Sequence, residues 1–413
     1  MADDAGVSTA PATAPARPEA PAAPPDLRFP ELQGQRGLAA LCIVVFHVYQ
    51  YDRSGPAARS PLEGTWAHPL LFGLDGMVDW FFVLSAFLLT LPYARALRDG
   101  RPLTSARDFL GRRAVRIVPL YLVAILVVWV SRNPTLPGEW RDLVEHLTFT
   151  QVYDSQRIFY TIGPAWSLAV EVQFYVVIAL LGAVLTRTAA RAATPARRLA
   201  PLVGAIAGFA MVSVVWWLVL GVVQDRPATD YPVWFGLPAK LAVFATGMAA
   251  AVVVVVVPRT LGRVATWSLR TAGVGAFVAT AVLLADRETG SRDWLFHVLC
   301  GTAFAAVVLA GALGRPAGPW HRASAGGVLP WLGLLSYSLY LWHEPLMLHL
   351  AGNGLLPAPA PAAFLPTVAV VVPLAVLAAW ASYWVVEHPT SKLRVFLSDV
   401  PSRELTLERR RAL

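Results

Sequence analysis

Residues 201–222 read PLVGAIAGFAMVSVVWWLVLGV, a run of 22 residues without a charged side chain. At 1.5 Å per residue, a helix of this length spans the hydrocarbon core of a bilayer, which is about 30 Å thick. Only a helix or a closed barrel can satisfy its backbone hydrogen bonds there. Because the run does not alternate between apolar and polar residues, it predicts a membrane-spanning helix rather than a barrel strand.

Similar apolar blocks recur along the chain. The composition agrees with them, since 56% of the residues are hydrophobic and 15% are charged, against about 45–50% and about 25% in soluble domains. These values exclude an ordinary soluble globular protein. The sequence therefore predicts an all-α fold, a polytopic membrane bundle of about ten transmembrane helices. The ten blocks are residues 37–51, 72–92, 113–131, 166–185, 201–222, 238–257, 267–285, 294–313, 329–350 and 365–386.

The basic residues between the blocks predict the orientation, because cytoplasmic loops of membrane proteins retain Lys and Arg. With a cytoplasmic N-terminus, the inner connections carry 25 basic residues and the outer connections carry 8. We therefore expect both termini to be cytoplasmic. The net charge of +8 does not indicate nucleic-acid binding, because the basic residues form no patch interleaved with aromatic residues.

The membrane domain is expected to cover residues 31–390. Residues 1–30 are rich in Pro and Ala and predict a disordered cytoplasmic tail, and residues 391–413 predict a short basic cytoplasmic tail. No connection is long enough for a soluble catalytic domain, so we expect any chemistry to use side chains on the helices and their loops. Cys42 and Cys300 lie inside apolar runs, which excludes a disulfide framework.

Ionisable side chains at membrane depth are costly and point to function. Arg36 and His47 are eleven residues apart, which places them on nearly the same helix face with His47 roughly 16 Å deeper. Arginine suits phosphate or carboxylate binding, and histidine suits proton transfer near neutral pH. The alternative is a topological anchor plus a histidine bonded to a neighbouring helix.

A second basic feature precedes the third block. Arg112, Arg113 and Arg116 are spaced by three and four residues, so they share one face at the start of a helix and could clamp an anion. Plain topological charge is the alternative.

Two acidic residues are candidates for polar chemistry. Asp79 lies near the outer end of the second helix, where it could orient a histidine, bind an acceptor or act as a first-turn helix carboxylate. Glu171 lies about a turn and a half into the fourth helix, which favours a functional role or an interhelical hydrogen bond over a dipole role.

Ser336, Tyr340 and His343 form a polar stripe at spacings of four and seven in the ninth helix. Such a stripe faces a cavity or bonds to another helix. The remaining ionisable residues of the membrane domain show no companion pattern or lie at its edge, and we assign them structural roles. They are Lys240, His297, His349 and Glu387.

With these segments assembled, the chain resembles the acyltransferase-3 family of integral membrane acyltransferases. The resemblance covers nearly the whole ten-helix block and rests on six segments in order. They are LQGQRGLAA (32–40) with His47, VDWFFVLSAF (78–87), RRAVRIVP (112–119), WSLAVEVQFY (166–175), SYSLYLWH (336–343) and VEHP (386–389). The chain departs from the family at Ala86, where glycine is common, and at Val172, where a second glutamate is common.

The resemblance implies transfer of an acyl group, usually acetyl, from a coenzyme A thioester to a hydroxyl, commonly on a carbohydrate. It implies that Arg36 and His47 are essential and that the Arg112, Arg113 and Arg116 cluster lies near the donor. We expect no metal and no permanently bound cofactor. The expected location is the bacterial cytoplasmic membrane, in contact with its lipids, and a homo-oligomer is left open.

These expectations define a mechanism in which His47 is the general base on the acceptor hydroxyl. Asp79 or Glu171 would orient His47 or bind the acceptor, with Ser336, Tyr340 and His343 also contacting substrate. An acyl-histidine relay is the rival mechanism.

The acceptor stays open between a surface polysaccharide, its lipid-linked precursor and a macrolide-like small molecule. Because no extracytoplasmic domain is evident, we expect the protein to acylate the final acceptor or to pass the group to a separate protein. Two alternatives to an enzyme are considered: a transporter for an acylated sugar or lipid, and a membrane scaffold.

Overall fold

The computed structural model describes residues 29–257, 260–287, 289–316 and 318–392. Within these ranges, ten helices have 19 residues or more. The expected tails lie almost entirely outside the described residues. The long helices are α1 (Pro30–Tyr51), α2 (Met77–Asp99), α3 (Ala106–Arg132), α4 (Ala165–Ala189), α5 (Pro195–Trp216), α6 (Leu237–Val256), α7 (Arg263–Leu283), α8 (Gly290–Leu313), α9 (Val328–Gly352) and α10 (Phe364–Ser382).

Shorter helical segments connect or extend these ten. α5 continues as a π-helix over Trp217–Val223, and α10 continues as a π-helix over Tyr383–Glu387. The described residues contain no β-strand, and their β-structure is limited to isolated bridges. This confirms the all-α prediction. The remaining short helices are Ala67–Phe72, Gly73–Gly76, Trp140–Leu147, Gln151–Tyr153, Tyr231–Phe235, Gly318–Ala325, Pro361–Ala363 and His388–Ser391.

Seven helical segments of the described chain are long and apolar enough to cross a membrane. α1, α7 and α9 do not belong to this set, so the count of about ten crossings and the cytoplasmic termini stay predictions. The seven segments are Ala67–Asp99, Ala106–Arg132, Ala165–Ala189, Pro195–Val223, Tyr231–Val256, Gly290–Leu313 and Pro361–Ser391.

The outer faces of these helices are apolar, as a lipid environment requires. On α3, four exposed side chains (Val123, Leu126, Val127 and Val130) recur at helical spacing and form one stripe. Exposed apolar residues such as Leu180 on α4 and Met211 on α5 continue this surface. The protein is therefore a multi-pass membrane protein.

α2 lies at the centre of the bundle. Sixteen of its 23 residues are buried, and it packs against α1, α6 and α8. A Cβ atom on Gly247 of α6 would lie 2.3 Å from the Val83 carbonyl oxygen of α2. Only glycine therefore permits the observed approach of α6 to this central helix.

α1 and α9 are joined by an equally close backbone contact. A Cβ atom on Gly37 would lie 2.1 Å from the Leu329 carbonyl oxygen, and one on Gly333 would lie 2.0 Å from the Gln33 carbonyl oxygen. Small residues that let two helix backbones touch are a common device in membranes, where apolar side chains gain little by leaving lipid. This contact brings the side chains farther along α1 and α9 face to face.

Local sequence fixes several helix ends. The Ser105 hydroxyl accepts a hydrogen bond from the Asp108 amide at 3.1 Å and caps α3. Thr194 and Thr289 cap α5 and α8 in the same way. α2 ends at Gly100, whose φ of 67° is the left-handed conformation that glycine adopts without strain.

Candidate active site

Three arginines from two helices line one cavity in the bundle. Arg36 comes from α1, and Arg113 and Arg116 come from α3. Its other polar lining residues are Ser85 of α2, Glu171 and Tyr175 of α4, and Tyr337 of α9. The structure thus brings together residues that the sequence placed on separate segments.

Arg112 does not share this position. Its side chain is half-buried and is not among those that line the cavity. Of the predicted three-arginine clamp on α3, the structure thus places Arg113 and Arg116 at the cavity, joined by Arg36. A donor-binding role for Arg112 stays a prediction.

Glu171 is held inside this arginine-lined cavity. It accepts hydrogen bonds from the Ser85 hydroxyl and from the Tyr175 hydroxyl, the latter at 2.6 Å. These contacts hold the carboxylate in the cavity that Arg36 also lines. Of the two roles considered for Glu171, orienting His47 or binding the acceptor, the structure shows no contact with His47.

Arg36 also faces the cavity with unused hydrogen-bonding capacity. Its Nε atom is buried and has no hydrogen-bond partner among the described residues. Its guanidinium carbon lies 6.0 Å from the centre of the Phe81 ring. A buried guanidinium with an unmet donor favours an anionic ligand at this place.

A second cavity continues from the first. The two share Arg36, Leu168, Glu171 and Tyr337, and each has a volume of about 40 Å³. The second cavity extends to Phe81, Ser167, Ser336 and Tyr340. We call the two cavities together the slot; their small volumes make it narrow.

The far end of the slot is built around Tyr340. Its hydroxyl donates to the Pro164 carbonyl at 3.0 Å and lies 2.6 Å from the Ser167 hydroxyl. Ser336, one turn away, donates to the Gly333 carbonyl at 2.9 Å. Ser336 and Tyr340 therefore line the slot, as the predicted polar stripe on α9 requires.

His343, the third member of that stripe, contacts His47 instead of lining the slot. His343 Nε2 lies 3.0 Å from His47 Nδ1, and the two ring centres are 4.8 Å apart. The Tyr340 ring centre is 5.9 Å from that of His343. Neither histidine is among the residues that line the two described cavities, and the pair adjoins the slot through the contact of His343 with Tyr340.

Asp79, for which the sequence analysis left open orienting a histidine, binding the acceptor or a first-turn helix role, contacts His297 and not His47. Its Oδ2 atom lies 2.7 Å from Nδ1 of His297, and both side chains are buried. The sequence analysis assigns His297 a structural role for want of a companion pattern, and its partner Asp79 comes from a different helix, α2. The position of Asp293, four residues before His297, was the sequence signal for a polar cluster on α8.

This cluster also contains groups of the kind that bind metals. Ligand atoms of Asp75, Asp293 and His297 lie within 4.8 Å of one another. The Arg287 guanidinium lies 3.4 Å from Asp75 and 3.6 Å from Asp293. Because Arg287 supplies positive charge to the same carboxylates, we interpret the group as an ion-pair network.

Glu344 is a polar residue near the histidine pair to which the sequence analysis gave no role. Its Oε2 atom accepts a hydrogen bond from the Gly163 amide at 2.7 Å. A Cβ atom on Gly163 would lie 2.5 Å from Glu344 Oε1, so glycine is needed for this contact. In the sequence, the position of Glu344 directly after His343 was the feature that could have indicated a place near the histidine pair.

A larger cavity lies elsewhere, on the other side of α9. It has a volume of about 620 Å³ and is mainly apolar, with Ser131, Arg132, His349 and Asn353 among its lining residues. It does not include the arginine pair of α3 or the histidine pair. Size therefore does not identify the reaction site in this protein, and we assign it from the polar groups.

Comparisons with known proteins identify the family of the chain. A family model described as an acyltransferase domain matches residues 29–384. Peptidoglycan O-acetyltransferase OatA from Listeria monocytogenes is 24% identical over 342 residues, 77% of this chain and 49% of that protein. Acyltransferase MdmB from Streptomyces mycarofaciens is 33% identical over 162 residues, 37% of this chain and 39% of that protein.

Nodulation protein 10 from Rhizobium leguminosarum is 31% identical over 165 residues, 35% of this chain and 42% of that protein. The chain spans about half the length of the curated relatives it matches, or less. No solved structure matches the chain.

Proposed function

Since this chain belongs to the acyltransferase-3 family, we propose that it is a membrane O-acyltransferase that uses acyl-CoA, with acetyl as the default acyl group. The acceptor is a hydroxyl of a carbohydrate or of a glycosylated or polyketide small molecule. The observation that carries the proposal is the cavity lined by Arg36, Arg113 and Arg116.

The charge of this cavity supports a polyanionic donor. Three guanidinium groups and one carboxylate, Glu171, line it. Coenzyme A carries phosphate groups, and arginine binds phosphate through charge-assisted, often bidentate hydrogen bonds. The phosphates would lie at the arginines, and the narrow slot toward Tyr340 would hold the pantetheine arm.

The reacting atoms would meet where the slot approaches His343 and His47. His47 takes the proton of the acceptor hydroxyl while the hydroxyl oxygen attacks the thioester carbonyl carbon. The carbon–sulfur bond then breaks, and the departing thiolate of coenzyme A takes the proton from His47. An ester of the acceptor and free coenzyme A are the products.

The relatives support a carbohydrate as the acceptor class. Two proteins named peptidoglycan O-acetyltransferases, from Listeria monocytogenes and, by putative assignment, from Bacillus subtilis, each align with 77% of this chain. Cytoplasmic termini would place the arginines toward the donor pool and the histidines toward the outer half of the membrane. A bacterial cytoplasmic membrane location follows from the same proposal.

Thiol release from acetyl-CoA by the purified protein, with and without soluble glycan fragments, tests the proposal. We expect release in the wild type and loss of at least about 10²-fold in His47→Ala, because positioned proton transfer contributes about 10²- to 10⁴-fold. Arg36→Ala should fail at the donor-binding step.

His349→Ala is the matched control, since His349 lies on the other side of α9. A folded His47→Ala protein that retains more than about a tenth of wild-type turnover contradicts the role of His47. Substrate flux across vesicles without thiol release would favour a transporter.

A further inference from the structure

The two histidines at the end of the slot are linked to two backbone carbonyls. His343 Nδ1 lies 3.0 Å from the Leu339 carbonyl oxygen, and His47 Nδ1 lies 3.0 Å from the Ile43 carbonyl oxygen. Between the rings, His343 Nε2 lies 3.0 Å from His47 Nδ1. Three of the four ring nitrogens therefore have fixed partners.

These contacts determine the tautomers of both rings. A carbonyl oxygen only accepts hydrogen bonds, so the proton of His343 lies on Nδ1 and leaves Nε2 as an acceptor. His47 then carries its proton on Nδ1 and shares it between Ile43 and His343. The opposite arrangement would place two nitrogen lone pairs 3.0 Å from carbonyl oxygens, which is repulsive.

We propose that His343 is a positioning residue that fixes the tautomer and ring orientation of His47, so that His47 Nε2 is the nitrogen that accepts the hydroxyl proton. This inference rests on the proposed function. It replaces the expectation that His343 binds substrate directly. Enzymes that use histidine as a base commonly orient it through the other ring nitrogen.

The same contact would support His47 after proton transfer. Once Nε2 is protonated, the ring is a cation, and its Nδ1 hydrogen bond becomes charge-assisted and stronger. His343 is buried, so water does not replace it as the acceptor. Its loss is expected to lower turnover rather than acceptor affinity.

Two substitutions separate this role from packing. In His343→Gln, the side-chain oxygen reaches approximately the position of Nε2 and can still accept from His47. In His343→Asn, the amide reaches only the position of Nδ1, so it keeps the Leu339 contact and loses the His47 contact. The introduced Gln and Asn side chains differ from each other by one methylene group.

The experiment measures kcat and the KM for the acceptor in both variants, with thiol release from acetyl-CoA as the readout. We expect His343→Asn to lose about 10- to 100-fold in kcat, the size of one hydrogen bond to a charged group, with little change in KM. We expect His343→Gln to recover most of that loss. Equal activity in both variants, or a change confined to KM, would overturn the positioning role.

The outcome is distinguishable from failure of the proposed function. If His47→Ala is inactive while His343→Asn and His343→Gln behave alike, only the positioning role fails. If His47→Ala retains turnover, the proposed chemistry fails first. Thermal unfolding of each purified variant shows whether a lost activity reflects a lost fold, and a His343→Asn protein that melts like wild type but turns over more slowly than His343→Gln supports the proposal.

Discussion

Replacement of Gly37 by alanine should separate α1 from α9 and thereby impair catalysis at a distance. The added Cβ atom would lie 2.1 Å from the Leu329 carbonyl oxygen, whereas ordinary contacts begin at 3.4 Å. The helices must therefore move apart by about 1.3 Å, the difference between these two distances. If the shift extends along α1, the 3.0 Å contact between His47 and His343 is lost, because hydrogen bonds fail beyond about 3.5 Å.

Two measurements follow from this displacement. Overpacking of a tight contact costs about 1–3 kcal/mol, so the thermal unfolding temperature of Gly37→Ala should fall. A misplacement of about 1 Å in a reacting group can cost about 10²-fold in rate, so thiol release from acetyl-CoA should fall by a similar factor.

A matched control is available on α5. A Cβ atom on Gly204 would meet nothing within 4 Å, so Gly204→Ala should keep wild-type turnover and gain stability by about 0.4–1 kcal/mol. Wild-type unfolding temperature and turnover in Gly37→Ala would refute the claim that the α1–α9 contact sets the histidine geometry. Loss of stability without loss of turnover would refute only its link to catalysis.

Two further substitutions test other parts of the site. Arg116→Ala should raise the KM for acetyl-CoA by about 10- to 100-fold, as expected for one lost hydrogen bond to a charged group. The KM for S-acetyl-N-acetylcysteamine, a donor that lacks the phosphates, should not change. An equal rise in KM for both donors would contradict phosphate binding by Arg116. Asp79→Ala removes one member of a buried pair with His297 and should destabilise the protein by about 3–5 kcal/mol with turnover per folded molecule preserved. A normal melting temperature with turnover reduced about 10²-fold would instead return a catalytic role to Asp79.

The sequence was informative wherever one helix carries the relevant pattern. The apolar blocks predicted all ten long helices, and the spacing of Arg113 and Arg116 predicted that both face one ligand. Ser336 and Tyr340 line the slot together because residues four apart share a helix face. These inferences need only helical periodicity.

Contacts between distant helices were beyond the sequence. Asp79 pairs with His297 across α2 and α8, and His47 pairs with His343 across α1 and α9. An ionisable side chain can pair with any suitable neighbour, so its partner depends on which helices are in contact. Glycines such as Gly37 determine which helices approach each other closely, and a single sequence does not show which glycines lie at such contacts.

The two charged clusters differ in how the protein's own charged residues pair within them. In the cluster around His297, the Arg287 guanidinium meets two carboxylates directly, those of Asp75 and Asp293. In the slot, three guanidinium groups line a cavity with one carboxylate, and a second, Glu387, lies on the π-helix that extends α10 and is held by the Ser338 hydroxyl.

An anion in this cavity would satisfy the buried Nε donor of Arg36, which has no hydrogen-bond partner among the described residues. A polyanionic thioester would provide that anion, and a neutral sugar would not. We therefore propose that the donor binds at the arginine end of the slot and that the acceptor hydroxyl approaches the histidine pair from the other end.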